Sequence, residues 1–211
     1  GARGMLLLKG RAGVQWRNSE RRFGLAAVLL HWLIAVLFLA MLAIGVTMTR
    51  LPFTDPWTFP LFQFHKSLGA TVFLLVVARI AWRAGNNPPP LPASLKPYER
   101  ALAKLTHWGL YAALIAMPLT GWVIVSASPL GIPTVLYGIV PLPHIGFVAG
   151  HPQKAAIETA ASWTHWTIAV FAATLIALHI GAAFWHHFAK RDDVLTRMLP
   201  SRALFRKGNG N

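Results

Sequence analysis

Residues 162–187 read SWTHWTIAVFAATLIALHIGAAFWHH. No side chain in this run carries a formal charge. The run is long enough to cross a bilayer as one helix, which takes about 20 apolar residues. Two histidines interrupt it, His165 and His179, fourteen residues apart. At about 100° per residue, fourteen steps bring a side chain back to within about 40° of its first direction. The same steps advance it by about 21 Å, most of a hydrocarbon core about 30 Å thick. The run therefore predicts a helix with two imidazoles on one face, one near each membrane surface. A polar ring at that depth needs a partner.

Three more apolar runs, 23–48, 65–82 and 101–125, predict three more spans. The expected fold is all-α and integral to the membrane, a four-helix transmembrane bundle. Pro118 lies inside the third run and predicts a kink. Residues 49–64 hold Phe53, Trp57, Phe59, Phe62 and three prolines, and predict an interfacial loop. Residues 83–100 are polar, with a Pro88-Pro89-Pro90 breaker. Residues 126–161 read as a long loop rich in proline and glycine, with a short surface helix expected over 152–161. The organisation expected is a basic extension (1–22), a membrane domain (23–188) and a basic tail (189–211). The apolar run after the basic N-terminus is too long for a signal h-region and reads as an uncleaved anchor.

Composition agrees with one membrane domain, at 55% hydrophobic and only 12% charged residues. The formal net charge is +14. The basic residues cluster between the apolar runs, which argues against nucleic acid as a partner and for a lipid surface. Lys and Arg number six before the first span, then one, four and one in the loops, and six in the tail. That alternation predicts a multi-pass membrane protein with both termini in the cytoplasm. The chain has no cysteine. Disulfides, zinc thiolate sites, iron–sulfur clusters and covalent c-type haem attachment are thereby excluded.

With that orientation, depth sorts four histidines into pairs. His65 and His165 open their spans at the outer side. His31 and His179 lie toward the cytoplasm. Each pair joins two helices, a fitting axial set for a non-covalent b haem, and the two pairs predict two haems. Arg79 stands fourteen residues after His65, at the inner level, where it either pairs with a propionate or snorkels to the surface. Gly45, fourteen residues after His31, and Gly69, one turn after His65, leave room for a macrocycle or for close helix approach. His107 opens the third span on the inner side, with a quinone contact, a propionate contact or no role left open. A zinc or copper site is the rival reading, short of a third strong ligand at either depth. His144, His151, His186 and His187 read as solvated or structural, and six tryptophans near the interfaces, Trp32 and Trp122 among them, as belt residues.

The segments LHWLIA around His31, FHKSLG around His65, LTHWGLYAALIAMPLTGW, SWTHW…ALHIGAAFWHHF and the closing RDDVLTRMLP together resemble the bacterial cytochrome b561 family. The resemblance runs from about residue 22 to 200. It implies four helices in the bacterial inner membrane, two b haems on His31, His65, His165 and His179, and electron transfer with a quinone as one partner. A superoxide:quinone oxidoreductase activity is the sharpest expectation from the resemblance. Lys66, with Arg50 and Lys154, is the candidate entrance for a small anion such as superoxide. Two other readings compete: a cytochrome subunit of a larger dehydrogenase or hydrogenase, with a partner redox subunit, and a histidine-based proton or metal transporter.

Overall fold

The computed structural model describes residues 14–92 and 95–200. Four of its helices are long and apolar enough to cross a membrane: α1 (Leu25–Arg50), α2 (Thr58–Gly85), α3 (Pro97–Ala127) and α5 (Lys154–Phe188). Between α3 and α5 lie a short antiparallel hairpin, β1 (Thr134–Leu136) with β2 (Val140–Leu142), and a single turn of helix, α4 (Gly146–Ala149). A 3-10 turn, Thr196–Met198, follows α5. The long helices are apolar on nearly every side, as suits segments whose backbone bonds must close internally in lipid.

The helices run longer than the sequence predicts. Residues 58–64, expected in an interfacial loop, form the first turns of α2. Pro60 is the third residue of that helix, where the backbone N–H has no intrahelical acceptor to lose. Asp55 leads the chain in, its Oδ1 accepting from the Trp57 amide at 2.8 Å. The short surface helix expected over 152–161 is the start of α5 itself, because no glycine or proline separates residue 154 from the apolar run. α3 continues through Pro118. The hairpin and α4 were not foreseen in the long loop.

α1 packs on α2, α3 packs most extensively on α5, and α2 touches α3. Close approach of α3 and α5 occurs at Gly109, where an added Cβ would stand 2.8 Å from Leu175 Cδ1. The buried core is a layer across the middle of the bundle: Ile34, Phe38 and Met41 on α1, Leu68, Val72 and Val76 on α2, Ala113 and Met117 on α3, and Ala172 on α5. By contrast, α1 and α2 make little backbone contact with α5.

Both ends of the bundle are closed by polar contacts. At the hairpin end, the Tyr137 amide donates to Ser67 Oγ (2.9 Å) and its hydroxyl meets Thr71 Oγ1 (2.6 Å). These bonds hold Tyr137 at a φ of 52°, unusual for a side chain of that size. Trp122 Nε1 donates to the Pro143 carbonyl and the Ile145 amide to Ser126 Oγ, each at 2.9 Å. At the terminal end, the described part of the tail folds back on the bundle. Lys190 pairs with Glu99 of α3. Arg197 donates to the Pro90 carbonyl (2.9 Å), and Trp32 Nε1 to the Met198 carbonyl (2.6 Å). Trp32 and Trp122 thus tie down loops as well as standing near the interfaces. The expected extension and tail otherwise fall partly outside the described residues, at 1–13 and 201–211.

His186 is 9% exposed, and its Nδ1 meets Asp192 Oδ2 at 2.6 Å. Asp192→Asn removes the charge that assists this bond, at a cost of about 1–2 kcal/mol. The expected outcome is faster cleavage of residues 189–200 in limited proteolysis of the purified protein, with helix content unchanged.

Candidate functional site

Each long helix carries two marked positions fourteen residues apart. They are His31 and Gly45 on α1, His65 and Arg79 on α2, His107 and Gly121 on α3, and His165 and His179 on α5. The buried apolar layer lies between the two positions on every helix. It separates a terminal-end level from a hairpin-end level.

At the terminal-end level, the His31 and His179 rings face each other with centroids 6.1 Å apart and planes at 72°. His107 joins them, its centroid 5.3 Å from that of His179. Arg79 is at the same level. Its Nε donates to the Tyr111 hydroxyl (3.1 Å) and its Nη1 to the Ala27 carbonyl (2.9 Å).

At the hairpin-end level, the His65 and His165 centroids are 6.4 Å apart with planes at 67°. Both pairs meet across the gap that α1 and α2 leave against α5. A Cβ on Gly45 would come within 3.3 Å of His65 Cε1, and one on Gly121 within 3.6 Å of His165 Cε1. Two glycines thus leave space beside these two rings. Gly69 does something else, since its added Cβ would meet Met41 Cε at 3.4 Å. It serves the approach of α2 to α1.

Thr120 sets the state of His165. Its Oγ1 lies 2.9 Å from His165 Nδ1 and 2.9 Å from both the Ala116 and Met117 carbonyls. The single hydroxyl proton goes to a carbonyl, which can only accept. The hydroxyl oxygen then accepts from Nδ1–H, and Nε2 is left with a free lone pair. His65 Nδ1 is buried and has no hydrogen-bond partner among the described residues.

Gly121, Thr120 and Tyr111 were missed in the sequence. Gly121 had a usable signal, the same fourteen-residue step counted from His107. Thr120 and Tyr111 had none, since a lone hydroxyl inside an apolar helix has many local uses. His144, expected to be solvated, has its Nε2 buried without a partner, because the hairpin and α4 fold over the bundle. Lys66 follows His65 on α2 and is half-buried, while Arg50 ends α1 and Lys154 begins α5 at the same end. The described residues hold no group of three or more His, Asp or Glu able to hold a metal ion by themselves. The histidines gather as facing pairs instead.

The profile of the family described as prokaryotic cytochrome b561 matches residues 22–201. The chain belongs to this family. It is therefore a membrane electron-transfer cytochrome of the bacterial inner membrane, and the family implies haem b. The cytochrome is 33% identical to cytochrome b561 homolog 2 of Escherichia coli K12, over 88% of this chain and 95% of that relative. It is 28% identical to cytochrome b561 homolog 1 of the same organism, over 86% and 98%. It is 26% identical to the probable superoxide oxidase CybB of Yersinia pestis, over 87% and 98%.

The glycine beside His65 gives a test of the site's space. Gly45→Val should lower the haem-to-protein ratio of the purified cytochrome, because the new side chain displaces the His65 ring. Gly69→Ala, which meets only the flexible end of Met41, should leave that ratio unchanged. Equal ratios in the two variants would mean that Gly45 has no part in haem binding.

Proposed function

We propose that this cytochrome holds two b haems, one between His31 and His179 and one between His65 and His165, and passes electrons through the membrane to a quinone. The carrying observation is the spacing of the rings. A metal–nitrogen bond is about 2 Å long, so an imidazole centre stands about 3 Å from its metal. Two rings on opposite sides of one iron then stand about 6 Å apart. The centroid separations of 6.1 and 6.4 Å match that requirement. The Nδ1–H of His165 held by Thr120, which leaves Nε2 free, and the close seating of the His65 ring against Gly45 suit the same group. Haem supplies one-electron chemistry at a potential tuned by its ligands and surroundings.

The chain's own residues do the rest. His31 with His179 and His65 with His165 would hold the haem irons, which would then supply electron transfer rather than oxygen binding. The layer of Phe38, Met41, Val72, Val76 and Met117 keeps water out between the levels and sets their separation. Arg79, bonded to Tyr111 and to the Ala27 carbonyl, keeps a guanidinium at the His31/His179 level. His107, beside His179, is the chain's candidate quinone contact.

Orientation comes from the basic residues. The ends of the described chain and the α2–α3 loop share one end of the bundle, joined by Asn18 Nδ2 to the Asn86 carbonyl (3.0 Å) and by Arg197 to Pro90. The Lys/Arg excess of these segments assigns that end to the cytoplasm. His65 and His165 then face the outer side. Superoxide is the proposed donor there, drawn by Lys66, Arg50 and Lys154. The likeness to a probable superoxide oxidase supports this reading.

Two measurements test it. Haem content and a dithionite-reduced minus oxidised spectrum should show two b haems per chain, with His31→Ala and His65→Ala each losing one. A single haem in the parent protein, or loss of both from either variant, would sink the paired arrangement. Stopped-flow mixing with superoxide should reduce the haems, with quinone reoxidising them. Lys66→Glu should slow that reduction several-fold at low salt, weaken its salt dependence and leave haem content intact. An unchanged rate would remove Lys66 from the entrance.

A further inference from the structure

One cation is fixed between helices at the inner level. Arg79 reaches from α2 to both neighbouring helices. Its Nη1 bonds the carbonyl of Ala27, one turn before His31, and its Nε bonds the hydroxyl of Tyr111, one turn after His107. The Ala27 carbonyl is also the one to which an α-helix directs the backbone N–H of His31. The guanidinium is thereby pinned between α1 and α3 at the inner level. The chain has only six acidic residues, and among the described residues none pairs with Arg79.

Both anchors of Arg79 thus lie one turn from an inner-level histidine, Ala27 from His31 and Tyr111 from His107. Among the described residues, no lysine or arginine side chain is hydrogen-bonded at the His65/His165 level. Lys66 adjoins His65 in sequence, but it sits about 100° round the helix from it on a flexible stem.

From this asymmetry we infer that Arg79 is a positioning residue for the electron: its fixed positive charge makes the inner His31/His179 level the stronger electron acceptor and so directs flow from the outer face inward. The inference rests on the two-haem reading above. Reducing a site adds one negative charge. A pinned cation nearby stabilises the reduced form, most of all where lipid and protein screen it poorly. For each electron moved, the outer level is oxidised by one and the inner level reduced by one. Arg79 exchanges neither electron nor proton.

The experiment is a spectroelectrochemical titration of the purified, haem-loaded protein. His65→Ala, which retains the inner pair, and His31→Ala, which retains the outer pair, assign the two midpoints. In the parent protein the inner midpoint should be the higher. Arg79→Gln should lower the inner midpoint alone, changing the equilibrium constant for electron exchange between the levels by about tenfold or more. Arg79→Lys, which keeps the charge, should recover most of the difference. An outer midpoint equal to or above the inner one in the parent protein would overturn the inference, and that reading stands even if Arg79→Gln fails to assemble. So would an Arg79→Gln protein in which neither midpoint moves, or both move equally. Two haems without the asymmetry would leave the paired arrangement intact. Absence of a second haem from the parent protein would overturn the arrangement itself.

Discussion

An imidazole in the hydrocarbon of a membrane has to be partnered, and the bundle is arranged around that requirement. Backbone groups in the spans are satisfied within each helix. Ring nitrogens are not, and an unpaired one costs about 1–3 kcal/mol when buried. The helices answer with two facing pairs, His31 with His179 and His65 with His165, their ring centroids 6.1 and 6.4 Å apart. The gap runs along α5. That helix is held by α3 and stands off from α1 and α2, which leaves a slot bordered by glycine at its hairpin-end level.

A packed apolar layer keeps the two levels apart. Phe38, Val72, Val76 and Met117 occupy the middle of the bundle, one or two turns from each histidine pair. Lipid tails are as apolar as these side chains, so the layer holds by close packing more than by the hydrophobic effect. It makes each level a separate environment. The terminal-end level contains a third histidine and a pinned arginine. The hairpin-end level contains Thr120, which orients His165 through its far nitrogen. Such partners commonly shape the chemistry of a ligand ring as much as its first bond does.

The loops are built to the same end. The hairpin lies against α2 and α3 through Ser67, Thr71, Trp122 and Ser126, and covers that end of the bundle. The segment after α5 folds under the opposite end through Glu99, His186 and Trp32. Three of the six acidic residues are engaged there: Glu99 pairs with Lys190, Asp193 with Arg197, and Asp192 is hydrogen-bonded to His186. In a chain so rich in basic residues, scarce carboxylates are spent on fastening the tail.

The sequence by itself determined the four spans, the fourteen-residue spacing on α5 and the depth of each histidine. These follow from helical periodicity and charge alternation, which are local properties of the chain. It also pointed to Gly45 and Arg79 by the same arithmetic. The tertiary structure alone decided which rings come within reach of one another, since depth matching says nothing about the rotation of one helix against the next. It decided that Gly69 serves helix packing while Gly121 borders a ring, because an absent side chain is informative only when something stands opposite it. It decided that Thr120 and Tyr111 belong to the site, since their hydroxyls gain meaning from a neighbour on another helix. The early start of α2, the continuity of residues 154–161 with the fourth span, the hairpin and the folded-back tail were likewise beyond reach. Composition there suggests a loop, and contacts distant in sequence, such as Trp32 with Met198, decide what the backbone does.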